Sequence, residues 1–437
     1  MGRFQFRMAL DKPEARPTRS YHDAMSTVSI APEEVSTLDR LRSLESEYVL
    51  QNYARYAIAL HRGRGCYVYD TAGKRYLDLL AGIGVSALGH SHPRLVKVIR
   101  EQAALLLHTS NLYYHEYQGP LAERLAKISG LERTFFCNSG TESMEGAMKM
   151  IRSHGRKIDP QKYGIIALHN SFHGRSFGAL SITGQEKYRQ DFEPMLPGAK
   201  FVPGNDLAAL EQVVCERTAG IVFEWIQGEG GINPMTTEFA RKARELADRY
   251  NALLVFDEIQ CGVGRPGTYF AYQLADPVVL PDIMVAAKPL GCGIPLGVIV
   301  ANAKAAAAIG PGMHGSTFGG GPLACRVALE FLDILEGLLP QIKQSGNYFR
   351  MKLDELRRHY PFIQEIRGEG LMIGIELNIP GKQIVLDAMN HGLLINCTHD
   401  TVLRLLPPYI ISEQEIDRGI AILNKVFKIA LKQSKAT

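Results

Sequence analysis

A single lysine, Lys288, lies between two apolar runs, "DIMVAA" and "PLGCGIPLG". Lysines are seldom fully buried, because an unpaired ammonium in apolar surroundings is unfavourable. The ordinary interpretation is the polar end of a strand, with the side-chain stem on apolar surface and the amine in water. The alternative is a lysine for covalent chemistry with a carbonyl compound, since partial desolvation favours the neutral, nucleophilic amine.

The stretch "FFCNSGTES" runs from a predicted strand into a predicted helix. Free backbone N–H groups and the positive end of a helix dipole would form a phosphate cradle at Ser139, Gly140 and Thr141. A plain helix N-cap made by Ser or Thr is the other interpretation. The pattern alone leaves both open.

An acidic pair, Asp257 and Glu258, ends the apolar run "ALLVF". Such a pair also resembles the magnesium-binding strand of P-loop ATPases, but G-x-x-x-x-G-K-[ST] is absent from the sequence. Residues 262–267 fit G-x-G-x-x-G, yet Pro266 and the lack of a helical pattern after it predict a loop rather than a dinucleotide site.

A third group, Phe172, His173 and Arg175, follows the apolar run "GIIAL". Each is unremarkable by itself, since Phe172 could be a core residue and Arg175 a surface charge. His90 and His92 lack a spaced set of further ligands, so we predict loop histidines and no metal site.

Together these residues fit pyridoxal phosphate. This cofactor needs a phosphate cradle, an acid facing its ring nitrogen, an aromatic side chain against its ring and a lysine that bonds to it covalently. Ser139–Thr141, Asp257, Phe172 and Lys288 supply these in turn.

The elements that would position these residues alternate between short apolar strands and amphipathic helices from about residue 120 to 300. Near-continuous apolar runs are typical of strands that are buried on both faces. The pattern predicts an α/β fold with a mostly parallel, doubly wound sheet, in which ligands bind beyond the carboxyl ends of the strands. The predicted strands are "TFFCN", "GIIALHN", "GIVFEWI", "ALLVFDEI", "DIMVAAK" and "PLGVIVAN".

Four segments are predicted along the chain. Residues 1–35 form a disordered extension, 36–95 an N-terminal segment that packs with a small domain, 96–324 a large cofactor-binding domain, and 325–437 a C-terminal small α+β domain. The composition of residues 65–82 predicts an antiparallel hairpin. A long helix is predicted after residue 321, broken near Gly337 and Pro340.

The totals exclude several classes of protein. The chain has 437 residues, of which 46% are apolar and 22% charged, as in soluble globular proteins, and no apolar run approaches a membrane-spanning length. Five basic and two acidic residues among the first 20 account for +3 of the formal charge of +4, which leaves no basic field for nucleic acid. Seven widely spaced cysteines without C-x-x-C favour reduced thiols and a cytoplasmic location.

The ordered stretches "AGIGVSALGHSHP", "FFCNSGTES", "FHGR", "IQGEGG", "ALLVFDEIQCGVGR", "AAKPLGCGIPLG", "HGSTFGG" and "RGEGLMIGIEL" resemble the class III, fold-type I aminotransferases, and most of all the acetylornithine group. The resemblance covers roughly residues 50 to 425. It implies a pyridoxal-phosphate enzyme that works as a homodimer with shared active sites.

The resemblance also implies roles for individual residues. Gly140 and Thr141 would hold the phosphate, Gln260 would bond the ring hydroxyl oxygen, and Glu224 would support Asp257. Thr317 would reach the phosphate in the neighbouring subunit. Arg175 would clamp one substrate carboxylate, and Arg404 the second carboxylate of 2-oxoglutarate. Glu229 would pair with Arg404 when the amine donor occupies the site.

The implied reaction moves the terminal amine of N2-acetylornithine to 2-oxoglutarate. Ile83-Gly84-Val85 stands where ornithine aminotransferases place a tyrosine that holds the donor's α-amino end. Succinylornithine, 4-aminobutyrate and ornithine are rival donors, and an aminomutase of the same fold or a non-catalytic binding protein are rival functions. The chain departs from the usual pattern at Met144, Trp225, Pro289 and Gly321, which we expect to alter the pocket wall.

Overall fold

The computed structural model describes residues 36–434, so the extension predicted for residues 1–35 lies outside the described part. The chain divides into two compact units, one ending at Ala59 and the other beginning at Leu60. In the first unit, helix α1 (Thr37–Tyr48) begins where the Ser36 hydroxyl accepts a hydrogen bond from the Asp39 N–H at 3.2 Å, an N-cap that satisfies one free donor of the first turn.

The second unit is an α/β assembly with strands and helices in alternation. Its helices are α2 (Ala81–Gly84), α3 (Pro93–Ala103), α4 (Gln118–Ser129), α5 (Gly140–Ile158), α6 (Phe177–Ser181), α7 (Leu207–Val213), α8 (Thr237–Arg249), α9 (Ala303–Ala306), α10 (Pro322–Arg357), α11 (Lys382–Asn390) and α12 (Glu413–Ser434). Its strands are β1 (Leu60–Arg64), β2 (Tyr67–Asp70), β3 (Arg75–Asp78), β4 (Arg133–Cys137), β5 (Gly164–Leu168), β6 (Ala199–Val202), β7 (Thr218–Glu224), β8 (Ile226–Gln227), β9 (Asn233–Pro234), β10 (Leu253–Asp257), β11 (Ile283–Ala286), β12 (Gly297–Ala301), β13 (Ile363–Glu369), β14 (Met372–Leu377), β15 (Leu393–Leu394), β16 (Asn396–Thr398) and β17 (Val402–Leu405).

A seven-stranded sheet forms the centre of this unit, in the order β4-β12-β11-β10-β7-β5-β6. The pairs β11/β10, β10/β7, β7/β5 and β5/β6 are parallel, and β12 is antiparallel to both of its neighbours. The predicted mostly parallel sheet is therefore confirmed, with strands at all six predicted runs. The prediction omitted β6, because its four residues are partly exposed and give no continuous apolar run.

Both faces of the central sheet are covered. In β10, Leu254 and Phe256 belong to one apolar cluster, whereas Leu253 and Val255 belong to another. Successive side chains of a strand point to opposite faces, so each face of this strand packs against its own layer. This packing is why the strand reads as a continuous apolar run.

Two smaller sheets lie outside the central one. The first, β1-β2-β3-β15, contains the predicted hairpin, and its β15 pairs in parallel with β3 through Leu393 and Leu77. The second, β13-β14-β17-β16, is antiparallel throughout. Because β15 comes from the last fifth of the chain, its pairing supports the proposed grouping of N-terminal and C-terminal parts, although the domain bounds stay a prediction.

The predicted break near Gly337 and Pro340 is wrong, because α10 continues from Pro322 to Arg357. A proline removes one helical hydrogen bond and crowds the preceding turn, so it normally ends or kinks a helix. Here Leu335 and Ile342 on either side of the proline are fully buried, whereas Pro340 itself is exposed. Apolar packing on the buried face outweighs the local preference.

Candidate active site

The predicted site residues meet at one cavity of about 470 Å³ beyond the carboxyl ends of the central strands. Its lining includes ten of the twelve predicted site residues: Ser139, Gly140, Thr141, Phe172, Arg175, Glu224, Glu229, Asp257, Gln260 and Lys288. The remaining lining comprises Val85, Asn138, His173, Gly174, Ile259, Ala287, Gly293, Ile294, Pro295 and Leu296. Polar residues that follow strands far apart in sequence therefore line one cavity, because the carboxyl ends of parallel strands lie at the same edge of the sheet.

The proposed phosphate cradle is the N-terminus of the 19-residue helix α5. Ser139 caps this helix, since its hydroxyl accepts a hydrogen bond from the Glu142 N–H at 3.3 Å. A side chain on Gly140 would place its Cβ 2.8 Å from Ile259, so only glycine fits. Thr141 exchanges a 2.7 Å hydrogen bond with Ser176. The N-cap interpretation holds, and the same turn presents backbone N–H groups to the cavity.

Asp257 is 2% exposed and ends β10 beside Glu224, its register partner at the end of β7. One carboxylate oxygen of Asp257 accepts a hydrogen bond from the Ile259 N–H at 3.0 Å, and the other lies 2.7 Å from Nδ1 of His173. Glu224 accepts hydrogen bonds from the N–H groups of Phe172 and Gly228. The backbone at Phe172 is thereby fixed from behind the acid.

His173 is the functional candidate that the sequence did not single out for a role. Burial by itself lowers a histidine pKa, but the hydrogen bond and charge of Asp257 prevail and raise the pKa of His173 above 6.5. Burial raises the pKa of Glu224, which shares this buried cluster. The only available signal was a titratable residue between Phe172 and Arg175, and periodicity cannot show which acid it contacts.

Lys288 follows β11 and begins a short 3₁₀ turn, Lys288–Gly291. Burial lowers the pKa of its amine, while the nearby charges of Glu229 and Asp257 oppose that shift. A lowered pKa increases the neutral, nucleophilic fraction of the amine. Pro289 occupies the first turn of this 3₁₀ segment, where a fixed φ suits the helix and no N–H is needed.

Arg404 lies behind the cavity rather than in its lining. It is 1% exposed, and its Nη1 donates to Glu229 Oε1 at 2.6 Å and to Gln260 Oε1 at 3.0 Å. Burial would raise the pKa of Glu229, but the charge of Arg404 and its hydrogen bond hold it below its ordinary value. The lowered pKa favours an ionised Glu229 carboxylate beside the Arg404 guanidinium.

Arg175 also lines the cavity and is exposed, with its guanidinium 3.9 Å from the centre of the Tyr188 ring. The edge of Tyr188 also meets Phe172, at a ring-centroid distance of 5.9 Å. Within residues 36–434, no hydrogen bond or ion pair to the Arg175 side chain is found. Its five donors are therefore open to an anionic ligand.

Thr317 is exposed and is not part of this cavity. Its neighbour Ser316 accepts a hydrogen bond from Asn138 Nδ2 at 3.1 Å. The four departures from the usual pattern, Met144, Trp225, Pro289 and Gly321, are also outside the lining that residues 36–434 provide. The expectation that they alter the pocket wall stays a prediction. Trp225 packs on Phe256 and Met144 is fully buried, whereas Gly321 lines a neighbouring cavity that shares Asn138, Ile294 and Pro295 with this one.

The other sequence predictions concern loops. Residues 262–267 contain neither helix nor strand, as predicted for a chance G-x-G-x-x-G match. His90 bonds through Nε2 to Asp78 at 2.9 Å. Among the described residues, no group of three or more His, Cys, Asp or Glu side chains is arranged to hold a metal ion.

The sequence model of the family described as "Aminotransferase class-III" matches residues 48–427. The chain belongs to the class III aminotransferases. An acetylornithine aminotransferase from Methanocaldococcus jannaschii is 47% identical over 387 residues, which cover 88% of this chain and 97% of that protein. Another from Aquifex aeolicus is 46% identical over 380 residues, or 87% of this chain and 99% of that one.

Solved structures of related aminotransferases show the same fold. The crystal structure of the ornithine aminotransferase from Toxoplasma gondii superposes with a TM-score of 0.86 at 33% identity, covering 92% of this chain and 97% of that one. The acetylornithine aminotransferase from Elizabethkingia anophelis gives a TM-score of 0.80 at 31% identity, covering 90% and 99%. The fold-type I architecture is thus confirmed.

Class III aminotransferases depend on pyridoxal phosphate, and the donor set of this aminotransferase fits that cofactor. Backbone N–H groups at the α5 N-terminus suit the phosphate, the buried carboxylate of Asp257 suits a protonated ring nitrogen, and Phe172 and Lys288 line the same cavity. The family uses an amino acid and a keto acid as substrates. No helix in the described part of the chain is long and apolar enough to cross a membrane.

Proposed function

We propose that this aminotransferase moves the terminal amine of N2-acetylornithine to 2-oxoglutarate, giving the semialdehyde and glutamate, in arginine biosynthesis. The observation that carries the proposal is the ion pair between the buried Arg404 and the partly exposed Glu229 at the cavity. An arginine that alternates between an internal acid and a substrate carboxylate suits an enzyme that must accept two different substrates in turn. Relatives that are 45–47% identical to this chain carry the matching name.

Two residues perform the chemistry in this proposal. The bound cofactor supplies an electron sink for the pair released when a C–H bond breaks beside the reacting amine. Lys288 Nζ accepts the proton from the carbon that bears this amine and later returns one, a role for which a lowered pKa suits it. Asp257, itself held by His173 and the Ile259 N–H, places a negative charge at the ring-nitrogen end.

The binding roles follow the positions of the remaining side chains. Ser139, Gly140 and Thr141 would hold the phosphate, Phe172 would lie against the ring, Gln260 would bond the ring hydroxyl oxygen, and Glu224 would support the acid cluster. Arg175 clamps one substrate carboxylate with its unpaired donors. Arg404 binds the second carboxylate of 2-oxoglutarate when Glu229 moves aside, and Glu229 covers it while the donor is bound.

The donor assignment is supported by the apolar side chain of Val85 in the cavity lining. A free α-ammonium needs an acceptor or a negative charge, and Val85 offers neither. A donor whose α-amine is acetylated leaves no charge there to satisfy. This argument favours N2-acetylornithine over ornithine.

The assembly we propose is a homodimer in which the exposed Thr317 of one protomer reaches the phosphate site of the other. Its protomer comprises a large domain at residues 96–324, a small domain at residues 325–437 and an N-terminal segment at residues 36–95 that packs with the small domain. The seven cysteines are free in the structure, consistent with the reducing cytoplasm that we propose for the protein.

Half-reaction rates with a panel of amines test the donor assignment. The purified holoenzyme is mixed with N2-acetylornithine, succinylornithine, ornithine or 4-aminobutyrate, and the change in cofactor absorbance is followed. We expect the highest kcat/KM with N2-acetylornithine. Equal or better turnover of 4-aminobutyrate would refute the donor assignment, and no reaction with glutamate would favour an aminomutase instead.

A further inference from the structure

The Glu229 loop, residues 228–232, connects the short antiparallel strands β8 and β9 and carries the acid that pairs with Arg404. It ends at two residues with positive φ: Gly231 at +108°, which glycine adopts readily, and Ile232 at +57°, which is unfavourable for a β-branched residue. A β-branched residue rarely adopts a positive φ, and such strain persists only where surrounding contacts enforce it. The contacts that hold Ile232 in this conformation therefore also determine the position of the Glu229 loop.

Arg367, on β13, makes the polar contacts that hold this end of the loop. Its Nε donates to the carbonyl oxygens of Gly231 and Ile232, each at 3.0 Å, and its Nη2 donates to Gly231 O at 2.6 Å. The side chain is only 14% exposed. A planar guanidinium can address two neighbouring carbonyls at once, which a lysine amine on a flexible stem cannot do with the same geometry.

The apolar side of the same contact needs two glycines. Ile232 is fully buried against the sheet, and a Cβ on Gly374 would lie 2.8 Å from the Ile232 Cβ. A Cβ on Gly368 would lie 3.1 Å from Ile232 Cγ2. Because Gly374 and Gly368 carry no side chains, β14 and β13 leave a space into which the Ile232 side chain packs.

The packing site of Ile232 lies next to Arg404, the residue that pairs with Glu229. Gly374 is the register partner of Arg404 across the β14/β17 pair, so docking Ile232 on Gly374 fixes the loop relative to Arg404. Thr398, on β16, holds the other end of the loop through a 2.6 Å hydrogen bond from its hydroxyl to Glu229 O. The backbone of the loop is thereby held at Glu229 and at Gly231–Ile232, which fixes the point from which the Glu229 side chain reaches Arg404.

We propose that Arg367 is a positioning residue for substrate exchange: by clamping the strained Gly231–Ile232 turn onto β13 and β14, it sets the Glu229 carboxylate against Arg404 and thereby sets the preference between the acetylated donor and glutamate. It touches neither substrate nor cofactor in this role. The inference rests on the proposed alternation of Arg404 between Glu229 and a dicarboxylate substrate.

The test compares kcat/KM for glutamate with kcat/KM for N2-acetylornithine in half-reactions of the holoenzyme. In Arg367→Lys the charge remains but the paired carbonyl contacts are lost, so Glu229 covers Arg404 less well. We expect the ratio of glutamate to N2-acetylornithine to rise about tenfold, mainly through a lower KM for glutamate, which is within the usual range for coupling between two sites.

The matched control is Glu365→Gln. It removes the exposed ion pair with Arg367 Nη1 at 3.0 Å and leaves the contacts to Gly231 and Ile232 in place. We expect an unchanged ratio. A second variant, Gly374→Ala, displaces Ile232 without altering any charge and is expected to raise the ratio in the same direction as Arg367→Lys.

Glu229→Gln distinguishes failure of the proposed Arg404 alternation from failure of the proposed Arg367 positioning role. If it leaves the ratio unchanged, the proposed alternation of Arg404 fails. If it raises the ratio and Arg367→Lys does not, only the positioning role fails. The double variant Arg367→Lys/Glu229→Gln is expected to match Glu229→Gln alone, because Arg367 acts through Glu229, and additive effects would overturn the inference. An equal loss with both substrates in Arg367→Lys and Gly374→Ala would likewise reduce Arg367 to a structural residue.

Discussion

The two ends of the cavity are built differently. The end with Asp257 and Lys288 belongs to one sheet, whose neighbouring strands fix the acids in register and bury them on both faces. At the end with Arg404 and Glu229, strand β17 of the antiparallel sheet β13-β14-β17-β16 contacts the loop between β8 and β9. Sheet register therefore makes the first end rigid, whereas in the proposed function the second is movable, because Glu229 must leave Arg404 as substrates alternate.

The largest effect should come from the rigid end. In Lys288→Ala we expect no measurable transamination and loss of the visible absorption band that depends on the bond between the lysine and the cofactor, because no other lysine lines the cavity that residues 36–434 form. Lys304→Ala is the control, since that amine donates to Ala252 O outside the site. A persistent band in Lys288→Ala would contradict the assignment.

Asp257→Asn should lower kcat about 10²–10³-fold with both substrates alike, the usual cost of removing one electrostatic partner of a reacting group. Steady-state kinetics with glutamate and with N2-acetylornithine measure it. The neighbouring Glu258→Gln is the control, because Glu258 accepts hydrogen bonds from the Ala271 and Tyr272 N–H groups and does not line the cavity. A loss confined to one substrate would show that Asp257 acts on that substrate and not at the cofactor.

Arg404→Gln addresses the movable end. Removing one partner of a buried charge pair costs about 3 kcal/mol, so we expect roughly a 100-fold higher KM for 2-oxoglutarate. The half-reaction with N2-acetylornithine should change much less, since the donor has no second carboxylate for Arg404. Equal losses in both half-reactions would erase the distinction between the two ends of the cavity.

The smallest effect concerns pH. The pKa of His173 is raised above 6.5 by Asp257, so its contribution to folding stability is complete below pH 6.5 and is lost as pH rises through the folded pKa. The difference in Tm between the native protein and His173→Gln should therefore shrink as pH rises. A difference that grows with pH would mean that His173 is neutral in the folded protein.

Sequence predicted the rigid end more fully than the movable end. Asp257 and Lys288 were recognisable because each follows a continuous apolar run, and such runs mark strands of a doubly buried sheet. The sequence shows a histidine at position 173, next to Phe172, but it does not show what this histidine contacts. Its partner Asp257 lies 84 residues later in the chain, and only the tertiary structure brings the two together. The continuous helix α10 shows the same limit, since the local cost of Pro340 was visible and the packing that outweighs it was not.

By itself, the sequence determined the α/β class, the central strands, the turn at Ser139–Thr141 and the residue types that suit pyridoxal phosphate, because these depend on local periodicity and composition. Only the tertiary structure decided which charges meet. It joined His173 to Asp257, placed Ile232 against Gly374, and brought Arg367 to the carbonyl oxygens of Gly231 and Ile232. The Arg404–Glu229 pair, which the family resemblance implied, is also present. The physical reason is that these contacts join distant segments whose geometry is set by sheet order and register, which hydrophobic periodicity does not encode.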